Sequence, residues 1–204
     1  NTIVYFNFPM GTGATESSFF YLPFVSILAL LKLITGSSYV LIGLHNGLKV
    51  SLGFLSVYWI VNELLFAEKN TRMKEYTGII GGLFYILNPA MTENYVHALP
   101  IHDQVFLNPL LFFLLLKFLI SSDFRYAAGA LLFTFIFSHN FSFGGAPPFF
   151  AFFPFAIIFL LIYVRIIRRK TIPWKKIILA CILFLGLQAY QLVPELSNLF
   201  AGNS

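Results

Sequence analysis

The sequence predicts an all-α protein, a polytopic bundle of transmembrane helices, and three observations carry that prediction. Of the 204 residues, 58% are hydrophobic and only 10% are charged. A water-soluble domain carries about 25% charged residues, so this chain lacks the charge to cover a surface facing water. Mean hydropathy is +0.82, and 26 Phe help bring the aromatic share to 19%, which suits lipid-facing and interfacial positions. Apolar runs recur along the whole length, and a helix needs about 20 such residues to cross a bilayer.

The first run, 18–35, contains Pro23 and Lys32 and suits a helix lying at the outer interface, with a seventh crossing as the alternative. Runs 43–66, 76–87, 104–120, 126–138, 149–164 and 177–193 read as about six spans. The chain is then a single transmembrane domain over 1–204. Residues 1–42 form an outer loop and juxtamembrane helix, 43–193 the spans, and 194–204 the start of another outer segment. Residue 1 is Asn and no signal-peptide pattern leads into the first run, so the chain reads as a piece of a longer protein.

Basic residues set the expected orientation. Eleven of the thirteen Lys and Arg fall in or beside three alternate connections, while the intervening stretches 88–103 and 140–148 hold none. By the positive-inside rule, loops 67–75, 121–125 and 165–176 are cytoplasmic and the others face outward. A prokaryotic plasma membrane is the expected location. The formal charge of +5 is accounted for by topology, so no nucleic-acid partner is expected; membrane lipid is. The single cysteine, Cys181, lies inside an apolar run and offers neither a disulfide framework nor a cysteine metal site.

Ionisable groups near a membrane are costly and therefore informative. The densest outward group comprises Glu93, His97, His102 and Asp103, bracketed by Pro89 and Pro100. Imidazole and carboxylate can hold a divalent metal, trade protons or bind an anionic headgroup; an ordinary solvated loop has the same composition. Glu16 follows Pro9, Gly11, Gly13 and Thr15, where it either supports a capped helix start or aims a carboxylate at the headgroups. His45, Asn46 and Lys49 read as the outer end of the first span. There Lys49 either snorkels to lipid phosphate or clamps the phosphate of a bound lipid substrate. His139 adds one more outer group. Asn140-Phe141-Ser142 matches a glycosylation acceptor pattern but sits close to the expected membrane edge.

The order of these features carries a resemblance. Asn7-Phe8-Pro9-Met10-Gly11 leads to a juxtamembrane helix, followed by a long span and a short basic loop. Gly81-Gly82-Leu83-Phe84-Tyr85-Ile86-Leu87-Asn88-Pro89 comes next, then an outward loop ending in Asp103, and a last span closing at Leu192-Val193-Pro194. This resembles the membrane half of C-type glycosyltransferases, which take sugars from polyprenyl-phosphate donors. The resemblance implies an enzyme acting at the outer membrane face on a polyprenyl-phosphate-linked sugar. Asp103 matches the family's second acidic position and Glu16 the acid at the start of the juxtamembrane helix; both are candidate catalytic residues. His102, His97, Glu93, Lys49 and His45 are candidate substrate-binding residues. A divalent metal ion would draw on Asp103, His102 and Glu16. The chain departs from the family in one respect: no Asp precedes Asp103, so the family's first-loop Asp would lie upstream of Asn1. Two alternatives stand beside the enzyme: a transporter or flippase of a lipid-linked substrate, and a non-catalytic membrane subunit.

Overall fold

The computed structural model describes residues 22–65, 69–89, 100–137 and 147–201; of 22, 100–107, 147–153, 191–192 and 194–201 it describes only the backbone. The described residues form seven helices and no strand. These are α1 (Leu22–Thr35), α2 (Ser38–Leu64), α3 (Thr71–Leu87), α4 (Pro100–Ser121), α5 (Phe124–Ile136), α6 (Pro147–Ile162) and α7 (Trp174–Ala201). A single π-helical turn, Tyr163–Ile167, closes α6.

Local chemistry marks the breaks between helices. Gly36 stands at φ +66° and its N–H reaches the Lys32 carbonyl at 2.9 Å, a left-handed cap that glycine adopts without steric cost. Asn70 caps α3 by accepting from the Met73 N–H at 3.2 Å. Asp123 caps α5 by accepting from the Arg125 N–H at 3.0 Å. At the end of α3, Asn88 is extended at ψ 132°, as a residue before proline must be. Pro100 opens α4, where its missing N–H costs nothing. Pro109 and Pro154 lie inside α4 and α6.

Packing fixes the helix directions. α1 folds back along α2: the Phe24 and His45 rings sit 5.5 Å apart on either side of the short link at Gly36-Ser37. α3 runs antiparallel to α2 and very close to it. A methyl group on Gly78 would lie 2.7 Å from Tyr58 Cδ2, and one on Gly82 2.6 Å from Phe54 Cδ2. These glycines, one turn apart, let the two backbones approach as membrane helices do through small residues. α4 runs parallel to α2, with Trp59 against Phe113 at 5.3 Å. α5 returns antiparallel to α4 and packs on α7, where Phe135 meets Tyr190 edge-on at 5.9 Å. Leu116, Leu160 and Val164 are wholly buried where α4 meets α6. A second cluster joins Leu111 to Ala130 and Phe133.

The distribution of polarity is inverted relative to a water-soluble protein. Tyr76, Ile79, Ile80, Leu83, Phe84 and Leu87 form a continuous exposed stripe along α3, with Phe84 73% exposed. Gly78 and Gly82 face inward from the same helix. Lys49, Ser56, Thr134 and Gln188 are buried. Contiguous apolar surface of this extent marks a face built for something other than water. Among the described residues, Ser38–Leu64 is the one helix long and apolar enough to cross a membrane, and Pro23–Thr35, Asn108–Ser121, Phe124–Ile136 and Pro154–Ile167 are shorter apolar helices.

Each expected run is found as a helix, with shifts at the ends. α2 begins at Ser38, five positions ahead of the expected span, because Ser38 to Ile42 wind into the helix directly after the Gly36 turn. Residues 100–103 were expected in a loop and instead form the first turn of α4. The outer segment expected from 194 is a continuation of α7 through Pro194 to Ala201. The helix expected at the interface is α1, lying along α2.

Candidate functional site

The three basic connections gather at one end of the bundle, and Glu63 draws them there. Lys117 Nζ donates to Glu63 Oε2 at 3.0 Å and Arg168 Nη2 donates to Glu63 Oε1 at 2.6 Å. The carboxylate therefore ties the ends of α2, α4 and α6 together. Lys117 also lies 6.0 Å from the centroid of the Tyr126 ring, on α5. Lys176 donates to the carbonyl of Ser122, pinning the start of α7 to the α4–α5 turn. The sequence reading missed this node. Its signal was an acid at the last turn of a long apolar run, facing connections rich in Lys and Arg.

The candidate site lies toward the opposite end, on α2. Lys49 is 3% exposed and stands eleven residues inside the helix, about 16 Å from its start at the helical rise. This corrects the placement of Lys49 at the end of the span: α2 begins at Ser38, so Lys49 lies within the helix, and its side chain is enclosed. Burying a lysine is costly, which makes the residue a marker for function. Asn46, one turn away on the same face, has a buried Oδ1 with no hydrogen-bond partner among the described residues. Asn46, Lys49, Gly53, Ser56 and Glu63 recur at spacings of three, four and seven. They form an inward seam of small and polar residues along α2, legible in the sequence as a heptad-like period.

Helix register brings the other candidates to this level. Glu63 and Lys117 are 54 positions apart, and so are Trp59 and Phe113. Carried a further ten residues, past Pro109, the same offset would pair the Asp103 position with Lys49. The antiparallel pairing of Gly78 and Gly82 with Tyr58 and Phe54 brings the end of α3, at Asn88-Pro89, to the same height. Phe24 packs on Phe137 at 5.4 Å as well as on His45, so α1 and α5 complete the ring. The α1–α2 tip extends beyond this level.

Of the residues singled out in the sequence, Lys49 and His45 share one face of α2. The backbones of Asp103 and His102 lie in the first turn of α4. Glu16, Glu93 and His97 lie outside the described residues. Gln188 was not anticipated: it is 3% exposed, and its Nε2 donates to the Thr134 carbonyl at 3.1 Å in the last turn of α5. Among the described residues no three His, Cys, Asp or Glu side chains converge as a metal would require. Between α4 and α6, Phe112, Phe155, Ala156 and Phe159 line a wholly apolar groove of about 360 Å³.

The chain matches no family model, no curated protein and no solved structure.

Proposed function

We propose that this chain is a membrane domain of about six spans that transfers a sugar from a polyprenyl-phosphate donor at the outer membrane face. On this reading the basic end is cytoplasmic and the Lys49 level opens outward. The proposal is supported by the buried Lys49 on α2 together with Asp103 in the first turn of the parallel helix α4. Sugar transfer from a lipid phosphate needs the departing phosphate stabilised by positive charge already in place, which is the role given to Lys49. It also needs a carboxylate to take the acceptor's proton, which is the role given to Asp103. His102 and His45 flank this level as donors to the headgroup, and the phenylalanine groove between α4 and α6 suits the isoprenoid tail. The assignment of the sugar chemistry rests on the resemblance to C-type glycosyltransferases together with this geometry.

The test uses the full-length protein in lipid. Lys49→Gln and Asp103→Asn are assayed for sugar transfer from a polyprenyl-phosphate donor. The proposal expects a loss of at least about a hundredfold for each. Unchanged turnover in both variants would remove the site.

A second reading is favoured by the polar seam from Asn46 to Glu63, which follows α2 almost from end to end. A path of this kind would suit a flippase moving a lipid-linked headgroup. Scrambling of a fluorescent lipid-linked analogue in vesicles, without consumption of any sugar donor, would support transport over transfer.

A further inference from the structure

The segment that joins α6 to α7 sorts its cations in two directions. The π turn Tyr163–Ile167 rotates Arg168 inward, where it meets Glu63 at 2.6 Å. Arg165, Arg169, Lys170 and Lys175 remain exposed, and no acid among the described residues pairs with any of the four. The backbone that presents them is fixed. The N–H of Arg168 bonds the Tyr163 carbonyl at 3.0 Å and that of Lys170 bonds the Val164 carbonyl at 3.1 Å. Arg169 sits between them at φ +52°, a left-handed conformation that a non-glycine residue keeps only where its surroundings impose it. On the far side, Lys176 is held by the Ser122 carbonyl.

Apolar side chains flank the same cations. Ile166, Ile167 and Trp174 are all more than half exposed. Trp beside Lys and Arg is the composition of the headgroup level of a bilayer, the indole reaching toward the acyl chains and the cations toward phosphate.

We infer that Arg165, Arg169, Lys170 and Lys175, with Trp174 as an apolar anchor, form a binding site for anionic phospholipid headgroups at the basic end of the bundle. This inference rests on the membrane reading of the fold and is independent of the sugar-transfer proposal. Charge complementarity selects the occupant: four exposed cations with no acid paired to them among the described residues, beside an exposed Trp174, match a surface of phosphate diesters bearing net negative charge. Each basic residue near such a surface favours it about fivefold. A preferred lipid is therefore expected at this collar at a local excess of about tenfold or more, because the four contributions are only partly additive.

The experiment uses the full-length protein in bilayers, with every tryptophan except Trp174 replaced by Phe. Brominated phosphatidylglycerol and brominated phosphatidylcholine are compared as quenchers of Trp174 at equal mole fraction. Quenching by the anionic lipid should be several-fold greater. The excess should fall steeply with added salt and should vanish when Arg165, Arg169, Lys170 and Lys175 are all changed to Gln. The salt dependence of the parent protein keeps the test decisive should that variant misfold. Equal quenching by the two lipids would overturn the inference while leaving the membrane reading intact. No quenching by either lipid would overturn both. Loss of the preference in millimolar inorganic phosphate at constant ionic strength would mean that a soluble anion fits the collar, and would overturn the lipid assignment.

Discussion

Arg168 Nη2 donates to Glu63 Oε1 at 2.6 Å across 105 positions of the chain, and Lys117 approaches the other oxygen of the same carboxylate at 3.0 Å. One acid thus neutralises two cations from two different helices, and all three side chains are largely withdrawn from solvent. Removing the acid takes this carboxylate from both cations, whereas replacing a whole set of paired charges by apolar groups is far better tolerated.

Glu63→Gln should therefore destabilise the folded domain by about 3 kcal/mol. The triple variant Glu63→Gln, Lys117→Met, Arg168→Met should recover much of that loss. Unfolding equilibria in detergent or bicelles measure both. A triple variant no more stable than Glu63→Gln would show that the node is not held by charge pairing.

Gly82→Ala places a methyl group 2.6 Å from the Phe54 ring and 3.0 Å from its carbonyl oxygen. The ring can rotate but the backbone carbonyl cannot, so the α2–α3 contact must open, at about 1–3 kcal/mol. Gly186→Ala on α7 meets nothing within 4 Å and should be neutral or stabilising by about 0.5–1 kcal/mol through helix propensity. Equal thermal stability of the two variants would contradict the close approach of α2 and α3.

Asp123 supplies a pH dependence. The Arg125 guanidinium and N–H both donate to its carboxylate, chiefly the side chain, and hold it below the ordinary carboxylate range. A lowered folded value means that the unfolded chain binds the proton first. The contribution is then complete above about pH 4 and is lost as pH falls through the lower folded value. Asp123→Asn keeps an N-cap but removes the charge. The stability gap between parent and variant should be constant near neutrality and close on acidification. The pair lies in solvent, so the gap should also shrink with added salt.

Orientation can be checked by chemistry. In a Cys181→Ser background, single cysteines at Asn70, Ser122 and Thr171 should all react with an impermeant thiol reagent from the same side of sealed vesicles. A cysteine at Ser37 should react from the other side. Labelling of Ser37 and Thr171 from one side would break the proposed topology.

The helices were legible because each rests on a signal carried by the local sequence. Apolar runs gave their centres. Asn88-Pro89 gave the end of α3, and the scarcity of charge gave the inverted polarity. Their ends were less legible. The span was expected from 43, yet the left-handed Gly36 completes the turn early and α2 starts at Ser38. That shift moved Lys49 from a helix end to its interior. The pairing of the Asp103 position with Lys49 would depend on a parallel register set by Glu63–Lys117 and Trp59–Phe113, pairs that no local pattern announces. The Glu63 node is likewise a tertiary fact, since its partners lie 54 and 105 positions away.

The helices also differ in length. α2 has 27 residues and α5 only 13, about 40 Å against 20 Å along their axes, while the hydrocarbon layer is about 30 Å thick. No flat bilayer matches both. On the proposed membrane reading, lipid beside α5 would thin to meet it, drawing water inward toward the level of Lys49. A lipid headgroup could then be handled below the plane of its neighbours, and activity would follow acyl-chain length, falling in thick membranes where that dimple is costly to form.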